Sequence, residues 1–263
     1  MNGSGKVAVP VPADATLRFS NRVDDYIRYR PGYPSAILDL LQKHCDLAAS
    51  SAVADIGSGT GKSAEMFLAH GNPVFGIEPN REMREAAERL LKPYPHFTSV
   101  AATAEATTLP DRCIDLVFSG QAFHWFDRAH CRVEFQRILK QAGWVALAWN
   151  DRRTDSTPFL QAYEQLLQDH ASDYKQVNHR NIDAAAISEF FGNKARLQRF
   201  SNTQEFGFEG LKGRLLSSSY APAAGQPGHA EMISALKDIF SKHHANGTIR
   251  FDYDTLVYLG QLT

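Results

Sequence analysis

Apolar positions in this chain recur with two different periods, and the alternation between them sets out the elements. Short, largely apolar runs occur at 53–56, 75–77, 113–119 and 143–150. Runs of that length, bounded by Gly, Pro or acidic residues, predict strands buried on both faces. Between them the spacing changes to three and four. Pro34 opens a helix that keeps Ile37, Leu38, Leu41 and Cys45 on one face. Residues 60–70 form a second helix, closed by Gly71 in the position of a left-handed cap. Asn80 is placed to cap a third, in which Met83, Ala86, Ala87, Leu90 and Leu91 form an apolar stripe, and Pro93 and Pro95 stop it. Asp127 caps a fourth helix that runs through Lys140, and Gly143 starts the next strand. Strands alternating with helices in this way predict a mostly parallel sheet covered on both faces, an α/β fold.

After Asn150 the rhythm breaks. Thr157-Pro158 opens an amphipathic helix with Phe159, Leu160, Tyr163, Leu166 and Leu167 aligned. A polar segment containing His179 follows at 173–181, then a short helix to Phe191-Gly192. Residues 195–206 predict a strand, and Met232, Ile233, Leu236, Ile239 and Phe240 mark another helix. Asn246-Gly247 is a turn, and Ile249, Phe251, Tyr253, Thr255, Val257 and Leu259 alternate along a long final strand. The first 17 residues, in which Gly, Pro and Ala are prominent, are expected to be a disordered tail. Residues 18–50 then form an N-terminal arm and first helix.

Candidate chemistry gathers where the first strand ends. Asp55-Ile56-Gly57-Ser58-Gly59-Thr60-Gly61 joins an acidic strand end to three alternating glycines, and Glu78-Pro79-Asn80 ends the next strand. Glycine reaches positive φ and has no Cβ, so a ligand can lie almost against such a loop. Three ligands compete for it. A dinucleotide fingerprint needs its third glycine one residue later than Gly61, where Lys62 stands instead. A P-loop would end in Gly61-Lys62-Ser63, but Ile56 occupies its first glycine position, and a triphosphate gains nothing from Asp55 and Glu78. S-adenosylmethionine carries a sulfonium and an ammonium and no phosphate, which suits an acidic rim. Glu78 is placed to accept hydrogen bonds from both ribose hydroxyls.

Later segments extend the pattern. Ala104-Glu105 follows a third short strand, the fourth ends in Ser119, and Gly120-Gln121-Ala122-Phe123-His124-Trp125 comes directly after it. In order, these segments resemble the class I S-adenosylmethionine-dependent methyltransferases, and most closely small-molecule enzymes such as trans-aconitate methyltransferase and the quinone-biosynthesis C-methyltransferases. The N-terminal stretch from Phe19 to Pro34, with Tyr26, Tyr29, Arg30 and Tyr33, resembles the lead-in of one bacterial and fungal branch. The resemblance spans residues 19–150. It implies a Rossmann-like, seven-stranded sheet with an antiparallel last strand. Residues 51–150 would be the cofactor-binding core, 195–206 and 247–263 its final strands, and 151–194 with 207–246 excursions that form a substrate cap.

The resemblance also implies a site. Asp55, Gly57, Ser58, Gly59 and Gly61 would cradle the cofactor, with Glu78, Pro79, Asn80 and Met83 on its ribose side. Ala104 and Glu105 would read the adenine edge, and Ser119, Gln121 and Phe123 would flank the reactive end. An Arg or Tyr of the arm, Arg30 or Tyr26 among them, would close over the methionine end. His124, Trp125 and Tyr220 would line the acceptor pocket. His124 is the candidate catalytic base, and the competing view is that it only walls the pocket. In-line methyl transfer gains much from alignment and exclusion of water, so few catalytic side chains are needed. The expected product is S-adenosylhomocysteine and the expected acceptor a small molecule. A cofactor-binding protein without turnover and a nucleotide hydrolase built on Gly61-Lys62-Ser63 stay open as alternatives.

Composition narrows the partners. Lys plus Arg number 28 against 29 Asp plus Glu, so there is no basic field for nucleic acid. Local clusters such as Arg28, Arg30 and Arg152-Arg153 are expected to be solvated surface or contacts to the cofactor carboxylate. Cys45, Cys113 and Cys131 have no C-x-x-C spacing and are odd in number, which argues against a disulfide framework. No metal site is expected, since the histidines lack ligand spacing tied to a carboxylate cluster. With no apolar run long enough for a bilayer and no leader pattern, the expectation is a cytoplasmic protein, monomer or homodimer, with no membrane partner.

Overall fold

The computed structural model describes residues 23–171, 174 and 184–262. The expected tail at 1–17 lies outside the described residues, as does most of the polar segment at 173–181. The first half of the chain alternates as its periodicity predicts. Helices α1 (Val23–Tyr29) and α2 (Ala36–Cys45) lead into β1 (Val53–Ile56). Then come α3 (Lys62–His70), β2 (Val74–Ile77), α4 (Arg81–Leu90), β3 (Phe97–Val100) and β4 (Ile114–Gly120). A 3-10 turn at Phe123–Trp125, α5 (Arg128–Ile138) and β5 (Leu139–Arg152) complete this part. The remainder holds α6 (Pro158–His170), α7 (Ala184–Phe190), β6 (Arg196–Phe206), α8 (Phe208–Leu216), α9 (His229–His243) and β7 (Ile249–Gly260).

The seven strands form one sheet in the order β3-β2-β1-β4-β5-β7-β6. β1 pairs parallel with β2 on one side and β4 on the other, and β7 runs antiparallel between β5 and β6. The fold is therefore the Rossmann-like arrangement with an antiparallel last strand. Chain order reverses between β1 and β4, and a crevice opens at the carboxyl ends of strands at such a point. The two-residue period divides the core between the faces. Ala54, Ile56, Val117, Val145 and Leu147 pack with Phe135 and Ile138 of α5 and Phe190 of α7. Val53, Leu116, Phe118, Ala146 and Ala148 pack instead with Ile37 and Leu41 of α2 and Phe67 and Leu68 of α3. A third apolar cluster lies apart from both. It joins Tyr163, Leu166 and Leu167 of α6, Leu211 and Leu215 of α8 and Met232 and Leu236 of α9 to Phe251 and Tyr253 of β7.

Local differences from expectation have local causes. The second helix starts at Lys62, because Gly61 has a φ of 86° and cannot be helical. Asn80 caps α4 as expected, its Oδ1 accepting from Met83 N at 2.8 Å. The helix expected to run through Lys140 ends at Ile138, since Leu139 pairs with Ile114 and begins β5 four residues before Gly143. The register of β5 against β4 then shifts between Ile114 and Leu116. Among the described residues, no helix is long and apolar enough to cross a membrane.

Candidate active site

The loop after β1 turns on three glycines with φ of 69°, 55° and 86° at Gly57, Gly59 and Gly61. Each serves a different neighbour. A Cβ on Gly57 would lie 2.5 Å from Ala122 Cβ, and one on Gly61 would lie 2.5 Å from Leu91 Cδ1. A Cβ on Gly59 would meet nothing within 4 Å. Gly57 and Gly61 thus let protein elements close up, and only Gly59 opens onto free space. The loop is held from the neighbouring strand: Gly57 N and Ser58 N both donate to Ile77 O, at 2.9 and 3.1 Å. Glu78 then takes the amide of Gly59 on Oε2 at 2.9 Å and that of Asn80 on Oε1 at 2.8 Å. Burial raises the Glu78 carboxyl above its usual range, against the pull of these two amides.

Beside Gly59 the cleft is lined by Glu78, Pro79, Asn80 and Met83, with Trp125 and Phe126 also on its wall. Carboxylate acceptors beside an apolar slot suit a ribose and a purine. A phosphate would need a cation there, yet Lys62 Nζ donates 2.7 Å to Ile27 O at the end of α1. Ser63, the other residue of the P-loop-like ending, donates its hydroxyl to Asp55 Oδ2 at 2.7 Å. Open space at Gly59, the Glu78 acceptors and the engagement of Lys62 with Ile27 O together suit S-adenosylmethionine better than a phosphate.

The cleft continues past Gly57, Gly120, Gln121 and Trp125 into a second chamber. Tyr26 and Arg30 form one wall, with the Arg30 guanidinium 5.3 Å from the Tyr26 ring centre. Arg30 Nη2 donates to Ser217 O at 3.0 Å, while its Nε is buried with no partner among the described residues. Tyr33 lies edge-on to Phe118 with ring centres 5.7 Å apart, over Gly120, where a Cβ would be 2.2 Å from the tyrosine oxygen. His124 and Trp125 project from the 3-10 turn with ring centres 4.7 Å apart. Tyr220 faces Tyr174, also edge-on, at 5.0 Å.

Most of the residues singled out in the sequence therefore meet along one cleft. Tyr26, Arg30, Gly57, Ser58, Gly59, Glu78, Pro79, Asn80, Met83, Gln121, His124, Trp125 and Tyr220 all line it. Six do not. Asp55 is wholly buried beneath Ser63, with Oδ1 unpartnered among the described residues, and burial lifts its carboxyl to about 7. Gly61 packs on Leu91. Ala104 belongs to the core, and Glu105 Oε1 accepts from Asp127 N at 3.0 Å rather than turning to the cleft. Ser119 is fully buried in β4. Phe123 packs into the core 4.7 Å from the ring of Phe190.

Sequence reasoning missed Tyr174 and Arg214 on the far wall of the second chamber, and left Arg152, the third residue there, between solvated surface and a contact to the cofactor carboxylate. Arg152 is not solvated surface but 8% exposed; its Nη2 donates to Glu164 Oε2 and to Tyr174 OH, and its guanidinium lies 5.1 Å from the Tyr163 ring. One signal was readable for it: it stands two residues beyond Asn150 on the same strand, in phase with the residue at the sheet's edge.

With this geometry in place, the likeness to known proteins is informative. Residues 54–147 match the model of a methyltransferase domain. An uncharacterized methyltransferase of Mycobacterium tuberculosis is 35% identical over 139 residues, 53% of this chain and 54% of the relative. One from Schizosaccharomyces pombe is 32% identical over 151 residues, 57% of this chain and 59% of the relative. The chain thus matches little more than half the length of these curated relatives. Among solved structures, a candidate type II methyltransferase from Anaeromyxobacter dehalogenans superposes with a TM-score of 0.64 at 20% identity, covering 89% of this chain and 98% of the other. The YcgJ protein from Bacillus subtilis gives 0.54 at 21% identity, over 86% and 97%. Residues 54–147 are therefore similar to methyltransferase domains, and the Rossmann-like fold is shared with the solved structures.

Proposed function

We propose that this protein transfers a methyl group from S-adenosylmethionine to a small-molecule acceptor. The observation that carries this reading is the pairing of Gly59, open to the cleft, with the Glu78 carboxylate that holds its amide. When bound, S-adenosylmethionine supplies an electrophilic methyl group on a good leaving group and departs as S-adenosylhomocysteine. The protein's own residues do the rest. Glu78 accepts from the ribose hydroxyls, and Met83 and Phe126 offer apolar surface to the base. Arg30 takes the amino-acid carboxylate with the donors it does not spend on Ser217 and Ser218. Asp55, buried behind Ser63 with its carboxyl lifted to about 7, does not line the cleft and is assigned no contact with the ligand. Tyr26, Trp125 and Tyr220 surround the acceptor chamber and exclude water, which raises the value of every polar contact inside it.

His124 walls that chamber in this reading, and no proton transfer is assigned to it. The segments that carry α6, α8 and α9 act as the substrate cap, since Arg214, Tyr174 and Tyr220 reach the chamber from them. Incubation with methyl-labelled cofactor and a fractionated metabolite extract tests the activity. Label should move to a small-molecule fraction. Tight cofactor binding with no transfer to any fraction would point instead to a cofactor-binding protein without turnover.

A further inference from the structure

One edge of the sheet is long, regular and open among the described residues. β6 stands last in the strand order. Among the described residues, no backbone group of 196–206 bonds outside the β6–β7 ladder except Arg199 O, which accepts from the neighbouring Gln198 side chain at 3.4 Å. Alternate N–H and C=O groups on its outer rim are therefore left over. Edges are normally blunted by shortness, by Pro or by a bulge. β3, the opposite edge, spans only Phe97–Val100. β6 runs from Arg196 to Phe206 with no Pro or Gly and pairs with β7 without a break in register. Leu197 on it is 43% exposed.

Charge is the one blunting device β6 carries, and its charges complement one another. Phe200 packs on the α2 side of the sheet, and Asn202 and Gln204 donate to Gly32 O and Tyr29 O, so even positions face the N-terminal arm. Arg199, Ser201, Thr203 and Glu205 share the other face and are exposed. Neither Arg199 nor Glu205 has an ion-pair partner among the described residues, and Arg250, opposite Glu205 on β7, is taken by Asp252.

Symmetry limits how such an edge can meet its own copy. Along an antiparallel pair, hydrogen-bonded and non-hydrogen-bonded positions alternate. In a two-fold dimer the pairing of i with j is equivalent to that of j with i, so i and j must differ by an even number. Arg196 therefore cannot oppose Glu205. Arg199 can, when Asn202 opposes Asn202. Registers centred on Arg199 or Glu205 would set like charges face to face.

We propose that β6 pairs antiparallel with β6 of a second copy of this chain, about a two-fold axis at Asn202, with Arg199 of each copy opposite Glu205 of the other. The two sheets then join into one. Exposed ion pairs add little energy, so the backbone ladder supplies the association and the charges choose the register. The inference does not rest on the cofactor reading. It bears on the cleft indirectly, because β6 holds the arm at Tyr29 O and Gly32 O, on either side of Arg30.

Sedimentation velocity of the full chain over a concentration series tests this, with hydrogen exchange read on the same samples. The native chain should reach twice its own mass as it is concentrated. The β6 amides should then exchange more slowly, while those of β3 do not change. Arg199→Glu and Glu205→Arg each turn both ion pairs into repulsions, and each should weaken association about ten-fold or more. Mixed in equal amounts, the two variants regain both pairs in the heterodimer and should associate within about three-fold of the native chain. Arg196→Glu, with no charge opposite it in this register, should stay within about two-fold. A chain that is monomeric at every concentration would overturn the second copy as the occupant and leave the edge to an extended segment of another protein. Association that survives both charge reversals, or a mixture no tighter than either variant alone, would overturn the register and the proposal with it.

Discussion

Glu78 spends one lone pair of each carboxylate oxygen on the loop, on Gly59 N and Asn80 N, and keeps the others for the cleft. Glu78→Ala therefore removes both a ligand contact and a loop anchor, and should weaken S-adenosylhomocysteine binding by about 2–3 kcal/mol, read by titration calorimetry. A loss of only a few tenths would place the ribose elsewhere. Among the glycines, spacing alone made Gly57 and Gly59 look equivalent. Contacts separate them, and only folded neighbours such as Ala122 could reveal it. Gly57→Ala should lower thermal stability, because its methyl meets Ala122 at 2.5 Å. Gly59→Ala pays only the left-handed strain, roughly 1–2 kcal/mol, and should lose cofactor affinity while keeping most of its stability. Asp55 was legible as an acidic strand end, but its burial was not, since Ser63 covers it only once α3 has formed. Burial holds its folded pKa at about 7, above the 3.8 of a freely solvated aspartate. Stability from Asp55 is thus fully present below about pH 4 and is lost as pH rises through about 7. Urea midpoints of the native protein should fall over that window relative to Asp55→Asn; parallel curves would contradict the assignment. For His124 the wall reading predicts that His124→Ala raises acceptor KM, with kcat within about three-fold and a flat pH profile near neutrality. A kcat loss of 10²-fold or more would make it the base.

At the level of elements, the cleft depends on how α1 is docked. Lys62 of α3 holds Ile27 O, Gln204 of β6 holds Tyr29 O at 3.2 Å, and the Tyr29 ring lies so close to α8 that a Cβ on Gly213 would be 2.0 Å from it. Gly213→Val should therefore displace α1. Hydrogen exchange over residues 23–30 should quicken and cofactor affinity should fall, with core strands β1 and β4 as protected as before. Unchanged exchange in α1 would show that α8 does not hold it. The aromatic run around Tyr26 and Tyr33 marked this segment in the sequence as more than a linker, yet nothing there revealed a seven-residue helix or its partner. α8 itself was missed, because its nine residues include Gly210 and Gly213 and carry only a weak apolar stripe. The start of β5 was misplaced for a related reason. Leu139 satisfies both a helix stripe and a strand, and its pairing with Ile114 decides the matter.

Across the whole molecule, the parallel half of the sheet was readable because largely apolar runs and intervening helical stripes leave one layered solution. The antiparallel insertion of β7 between β5 and β6 came only with the family resemblance. The surroundings of Arg152 and Arg214 were hidden for a physical reason: Glu164 and Tyr174 about the one, and Tyr253 about the other, come from separate elements that meet only in the folded chain. The sheet places the Gly59–Glu78 pair at the carboxyl ends of β1 and β2, beside the crevice between β1 and β4, and the helices with their own apolar core bring Arg214 over it. The central claim is that this cleft is built for S-adenosylmethionine. Calorimetric titration of the full chain with S-adenosylhomocysteine, ATP and NAD tests it most directly. The account predicts one-to-one binding of S-adenosylhomocysteine and no measurable heat with ATP or NAD; affinity for either that matches S-adenosylhomocysteine would contradict it.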